Sequence, residues 1–316
     1  MKGSVVLFFL FFLTIQFVRG QVCDGEKVFV IENGSCNYND WELVFEDTFD
    51  GAKLDDTKWL NALPWGRHLQ SGFNGSLEYP TDGKNFEFSN GILKIAVRPD
   101  SIYAKGIEYL DSNFVFDDGL LNLRWWPYTS GLIFCKEQFG YGKYEMRCKL
   151  PKGKGLWSAF WLFGQVGDTR SEIDIFEFWN QDNMFGNFDP KKLSVEHHMT
   201  LHYKDQMCET NYIGADFSAQ FHTFTMEWDN YKIEWYVDGV LKRRSTKFYT
   251  LLGQVVDCNS IKANEPYILN RDYPMKSMLN IIVSLGVQSG KNAPDETVAF
   301  PSYLNIDYIR YYKKRD

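Results

Sequence analysis

Along most of the 316-residue chain, apolar and polar residues alternate at every second position, in short runs broken by Gly, Asp, Asn and Pro. Strand side chains point to opposite faces at period two, so the pattern predicts strands with one buried and one wet face. "WELVFEDTFDG" predicts a strand and a turn at Asp50-Gly51. "FEFSNGILKIAV" predicts a hairpin across Asn90-Gly91, a dipeptide suited to the two positive φ values of a tight hairpin turn. "SGLIFCKEQFGYGKYEMRCKLP" predicts another hairpin, turning at Gly140 and Gly142, and "GLWSAFWLFG" a largely apolar strand. Further strands are expected in "MTLHYK", "FHTFTMEWD", "YKIEWYVDGVLKRR", "MLNIIVSLG" and "YLNIDYIRYYKK". Helical periodicity is nearly absent, and neither a fixed repeat nor a low-complexity linker divides the chain. About a dozen strands in one uninterrupted domain predict an all-β, two-sheet sandwich or jelly roll. The long loops at 60–80 and 253–275 are expected to be functional rims.

One strand breaks the pattern. In "RSEIDIFEFWN", Glu172 and Asp174 share a face by alternation, while Glu177 comes one residue late. A one-residue β-bulge at Ile175–Phe176 would return Glu177 to the acidic face, and bulges are enriched beside active sites. Three carboxyls on one face repel one another and gain no hydrophobic energy, so packing alone leaves their cost unexplained. Retaining glycoside hydrolysis does use such a face: one carboxylate attacks, and a second about 5–5.5 Å away donates the proton. Coupling between neighbours is expected to leave Glu172 ionised and Glu177 protonated near neutral pH. A solvated acidic face or a cation site is the plainer alternative.

Composition narrows the partners. Aromatic residues make up 17% of the chain (10 Trp, 18 Tyr, 26 Phe), enough to supply platforms for flat apolar ligand faces. A formal charge of −7, with no Gly-rich phosphate loop and no Cys-x-x-Cys pair, argues against nucleic acid, nucleotide and zinc. "MKGSVVLFFLFFLTIQFVRGQ" has the basic start, apolar run and small-residue cleavage site of a secretory signal peptide over 1–20, too short for a stable membrane span. The expected product is secreted or periplasmic, with an N-terminal extension at 21–40 and a catalytic domain over 41–316. Six cysteines in an exported chain allow 15 disulfide pairings. Cys135 and Cys148 flank the Gly140/Gly142 turn symmetrically, so they form either a cross-strand bridge or two buried thiols.

From about Trp41 to Tyr311 the chain resembles glycoside hydrolase family 16, the laminarinase-like β-glucanases. "EIDIFE" matches that family's bulged Glu-x-Asp-x-x-Glu motif, and "WELVFEDTFDG", "YGKYEMRCKLPKGKGLWSAFWLFG", "TLHY", "FHTFTMEW", "WYVDG" and "LNIDYIRYY" follow in the family's order. The resemblance implies a concanavalin A-like jelly roll of two curved antiparallel sheets and hydrolysis by double displacement. It casts Glu172 as nucleophile, Asp174 as its electrostatic helper and Glu177 as general acid/base. It also offers binding residues, each with a plainer role. Trp157 and Trp161 are cleft platforms or core residues, with Trp157 expected to be the more open. Glu145 and Arg147 touch substrate or form a surface ion pair. His202 stands near Glu177 or packs in the core, and Trp179 and Asn180 line the rim. No cofactor is required; a structural calcium on Asp307 and the Gly91 carbonyl is possible for the family, although Asp307 could equally cap a turn. The substrate expected is a β-1,3- or mixed β-1,3/1,4-glucan cut internally by a monomer. The alternatives are a marine galactan such as agar, porphyran or carrageenan, whose hydrolases share the bulged motif, and a non-catalytic β-glucan recognition protein; "VQSGKNAP" stands in place of the usual Gly-Gly-x-Trp loop and alters the subsite walls.

Overall fold

The computed structural model describes residues 25–36, 40–64, 76–105, 123–166, 169–179, 196–203, 206–213, 216–271, 273–274 and 277–315. The expected signal peptide, Asn180 and residues 65–75 of one long loop lie outside these. Two antiparallel sheets face each other. The first has seven strands, in the order Gln206–Ile213, Glu196–Tyr203, Thr169–Trp179, Leu156–Val166, Leu279–Val287, Leu132–Phe139 and Trp59–Leu60. The second has eight. Its path runs Val240–Thr246, Lys232–Val237, His222–Trp228, Gly142–Lys149, Ser302–Lys314, Ile92–Val97 and Phe86–Ser89, with Trp41–Asp47 also paired to Ser302–Lys314. Among the described residues the fold is all-β, apart from two 3-10 turns at Cys258–Ser260 and Gly290–Asn292.

Alternation sorts the side chains as the pattern requires. Tyr144, Met146 and Cys148 of one sheet meet Phe160, Leu162, Ile173 and Phe176 of the other in a continuous core. Gly142–Lys149 shows the period in its purest form, every second residue buried. The hairpin at Asn90-Gly91 has φ of 53° and 68°, and Asp238-Gly239 repeats it at 50° and 75°; glycine takes the second position in each without penalty.

Two expectations change. Leu132–Phe139 and Gly142–Lys149 are not a hairpin: Gly140-Tyr141 is a corner that carries the chain from the seven-stranded to the eight-stranded sheet. Cys135 and Cys148 therefore lie on strands of different sheets and remain unbridged buried thiols. Burial pushes the Cys135 thiol up to about 12 and raises Cys148 as well, so both are inert. The loop expected at 253–275 is also largely ordered. Pro266–Asn270 pairs with Gly25–Phe29 and Phe248–Tyr249 in a small third sheet, and Cys36–Cys258 ties the N-terminal extension to it. Among the described residues no helix is long and apolar enough to cross a membrane.

Candidate active site

The acid strand, Thr169–Trp179, lies between Leu156–Val166 and Glu196–Tyr203. Asp174 is opposite Trp161 and Phe176 is opposite Phe160, which leaves Ile175 as the extra residue of a bulge. The register against Glu196–Tyr203 slips in the same interval. Ile173, Ile175, Phe176 and Phe178 all enter the inter-sheet core. Glu172, Asp174 and Glu177 are thereby returned to one outer face, opposite Phe163, Trp161 and Ala159. A bulge leaves backbone groups out of the ladder, and here the opposite sheet answers: the buried Trp235 donates its indole N–H to the Asp174 carbonyl at 3.0 Å.

The face around the acids is mostly apolar. Leu63, Leu132, Phe134, Ala159, Trp161 and Ile282 form a second buried cluster on it. Asp174 is 2% exposed. Burial lifts the Glu172 carboxyl from 4.5 to about 8, and the charge of Glu177 adds to the rise. Trp157 donates its indole N–H to Glu177 Oε1 at 3.1 Å, which favours the ionised form of that carboxyl. Burial thus favours the protonated form of Glu172, against the ionised state expected for it from sequence.

The chain is similar to known proteins in sequence and in fold. Residues 104–300 match the model of glycosyl hydrolases family 16. The chain belongs to this family. It is 28% identical over 288 residues to a beta-glucanase of Rhodothermus marinus, covering 86% of this chain and 85% of that one. Against glucan endo-1,3-beta-glucosidase A1 of Niallia circulans it is 26% identical over 304 residues, spanning 86% of this chain but only 38% of that protein. The catalytic domain of an endo-1,3-beta-glucanase (laminarinase) from Thermotoga petrophila superposes with a TM-score of 0.63 at 30% identity, over 88% of this chain and all of that one. The protein is a glycoside hydrolase.

The remaining candidates of this family-16 hydrolase sort differently. Trp157 and Trp161 both sit on the acid face, but at 4% and 7% exposure neither is an open platform, and Trp157 is the more covered of the two. Trp161 packs into the apolar cluster, while Trp157 holds Glu177. Trp179 continues the acid strand opposite Trp157. His202 is opposite Glu172, not Glu177; the register partner of Glu177 is His198. That histidine was missed, although extending period two back from His202 along "HHMTLH" reaches it.

Glu145 and Arg147 do not reach the acids. Their strand belongs to the other sheet, and because Tyr144, Met146 and Cys148 fill the core, both point away from it. There Arg147 pairs with Asp307, and Glu145 accepts from Tyr308 at 3.1 Å and lies 3.6 Å from Lys143. At the residues of the calcium expectation the structure shows other neighbours. Asp307 is the bulged residue of Ser302–Lys314, and its carboxylate is taken by Arg147. Gly91 instead stands against Asp50, whose Oδ1 would lie 2.9 Å from a Cβ at that position. Calcium takes six to eight oxygens, and among the described residues no cluster of three acidic, His or Cys side chains forms a metal cage.

Proposed function

We propose that the protein is an exported, endo-acting retaining hydrolase of β-1,3- or mixed β-1,3/1,4-glucan. The observation that carries this reading is the bulge at Ile175, which sets three carboxyls on one face of the seven-stranded sheet. Glu172 attacks the anomeric carbon, Glu177 protonates the glycosidic oxygen and later activates water, and Asp174 orients and supports Glu172. Double displacement needs one proton on the acid pair, and burial of Glu172 keeps a proton there to about pH 8. A glucan with its glycosidic oxygen against Glu177 and its anomeric carbon against Glu172 draws that proton to Glu177. The beta-glucanase and laminarinase relatives favour a glucan substrate, and the Cys36–Cys258 disulfide suits an oxidising compartment outside the cytoplasm.

Glu172→Gln should abolish turnover of laminarin and lichenan while leaving glucan binding in place. Glu177→Gln should stop polymer hydrolysis but spare formation of the glycosyl-enzyme from aryl glycosides, whose leaving groups need little protonation. Near-wild-type hydrolysis by both variants, or inversion of anomeric configuration in the product, would overturn the assignment.

A further inference from the structure

Away from the acids, at one end of the sandwich, lies a groove of about 540 Å³. Its walls come from the Gly140-Tyr141 corner, the turn at Trp228–Tyr231, the ends of Trp41–Asp47 and Ser302–Lys314, and the disulfide-tied segment at Ser35-Cys36. Trp41, Tyr141, Trp228, Tyr231 and Tyr311 line it. Trp228 is buried beneath Tyr141, ring edge to face at 4.9 Å, whereas Trp41, Tyr141 and Tyr231 are half-buried. Two aliphatic side chains complete the apolar wall while facing solvent: Val44 is 50% exposed and Met278 48%. Val44 is there because the register of its strand slips between Leu43 and Phe45, leaving it as a bulged residue.

The groove joins the catalytic face. Glu172 is opposite Phe163, Phe163 opposite Asn280, and Asn280 opposite Gln138, so one row crosses four strands from the acid to the groove wall. Gln138 donates to Asn280 Oδ1 at 3.1 Å and also lines the groove. At about 4.8 Å per strand, the groove begins about 14 Å from Glu172. A polymer laid across the strands through the acids runs off the sheet edge at this point.

The chemistry of the lining selects the occupant. Half-buried aromatic rings stack on the CH faces of sugars, and Gln138 and Asn230 supply planar amides for hydroxyl groups. Glu137 and Asp229 balance Lys313 and Lys314, so the lining carries no net charge to draw a sulfated or acidic polymer. We propose that this groove is an accessory binding site for neutral β-glucan, holding the polymer beyond the catalytic face. It rests on the glucan reading above. Its contribution is retention of long or insoluble chains, and the bond-breaking step does not depend on it.

The test compares wild type with Trp41→Ala and Val44→Arg, each first checked by thermal melting. Val44 is half-exposed, so its substitution leaves the fold intact even if Trp41→Ala does not. Adsorption to insoluble β-1,3-glucan should weaken at least about fivefold in each variant, and KM for the polymer should rise by a similar factor. The kcat/KM for a short aryl β-glucoside should stay within about twofold of wild type. Undiminished adsorption and unchanged polymer KM in both variants would overturn the proposal while leaving the glucan reading intact. If wild type neither adsorbs to nor hydrolyses any β-glucan, the glucan reading fails and takes the groove proposal with it.

Discussion

Replacing Glu172 by Gln should make the protein more stable as well as inactive. The fold keeps this carboxyl protonated to about 8, where an unfolded chain releases the proton at 4.5. A carboxyl raised in the fold contributes nothing to the pH dependence below its unfolded value; between the two values each added pH unit costs stability, and above the folded value the loss is complete. At about 1.4 kcal/mol per pH unit, the ceiling at pH 7 is about 3 kcal/mol. Glu172 is partly exposed, so water screens part of this, and about 1–2 kcal/mol is the expected gain. Gln keeps the shape and cannot ionise. Thermal melts of wild type and Glu172→Gln from pH 4 to 9 should coincide near pH 4, then diverge until about pH 8, the variant melting roughly 2–8 °C higher at pH 7. Parallel curves, or a variant less stable than wild type at pH 7–8, would refute the argument that burial and Glu177 together strain Glu172.

Trp157→Phe preserves the ring and removes the donor 3.1 Å from Glu177; kcat for polymer should fall about tenfold, and the acid limb of its pH profile should move upward because ionised Glu177 has lost support. A profile unchanged in position would assign Trp157 to packing alone. Trp235→Phe leaves the Asp174 carbonyl buried without its 3.0 Å donor. Denaturant melts should show a loss of about 1–3 kcal/mol, and kcat should fall more than KM rises, since the bulge orients acids rather than contacting sugar. Wild-type kcat in a destabilised Trp235→Phe would separate the bulge from the chemistry.

The bulge was legible because three acids on one strand advertise their own register: two obey period two, and the third needs one inserted residue to join them. The tight hairpins were legible for a similar reason, Asn90-Gly91 and Asp238-Gly239 being local chemistry. The corner at Gly140-Tyr141 was not, because two alternating runs around a glycine look the same whether the second strand returns to its own sheet or crosses to the other. Alternation encodes which face is apolar and says nothing about the neighbouring strand. Glu145 and Arg147 were misplaced by that ambiguity: on their strand the polar face is real, but it is the outer face of the wrong sheet. The tryptophans failed differently. Period two correctly put Trp157 and Trp161 on the acid face, yet the exposure of Trp161 depends on Leu63, Leu132 and Phe134, which arrive from distant segments.

The apolar cover on the acid face and the chemistry of the acids follow from one cause. A strand face carrying three carboxyls in open water would ionise all of them and hold no proton at neutral pH. Here Trp161, Leu132, Phe134 and Ile282 pack on the same face, and desolvation penalises the charge on Glu172, lifting it to about 8. The Trp157 N–H donates to Glu177, so the two carboxyls differ in surroundings, and the pair keeps a proton into mildly alkaline pH. Protonating one oxygen while attacking with another requires that stoichiometry. The bulge at Ile175 therefore acts on both sides of the sheet: it adds a side chain to the core, and it keeps Glu177 where Trp157 can hold it and where its charge reaches Glu172. The same residues paired without a bulge would keep Glu172 and Asp174 in place but turn Glu177 inward, burying an acid in an apolar core.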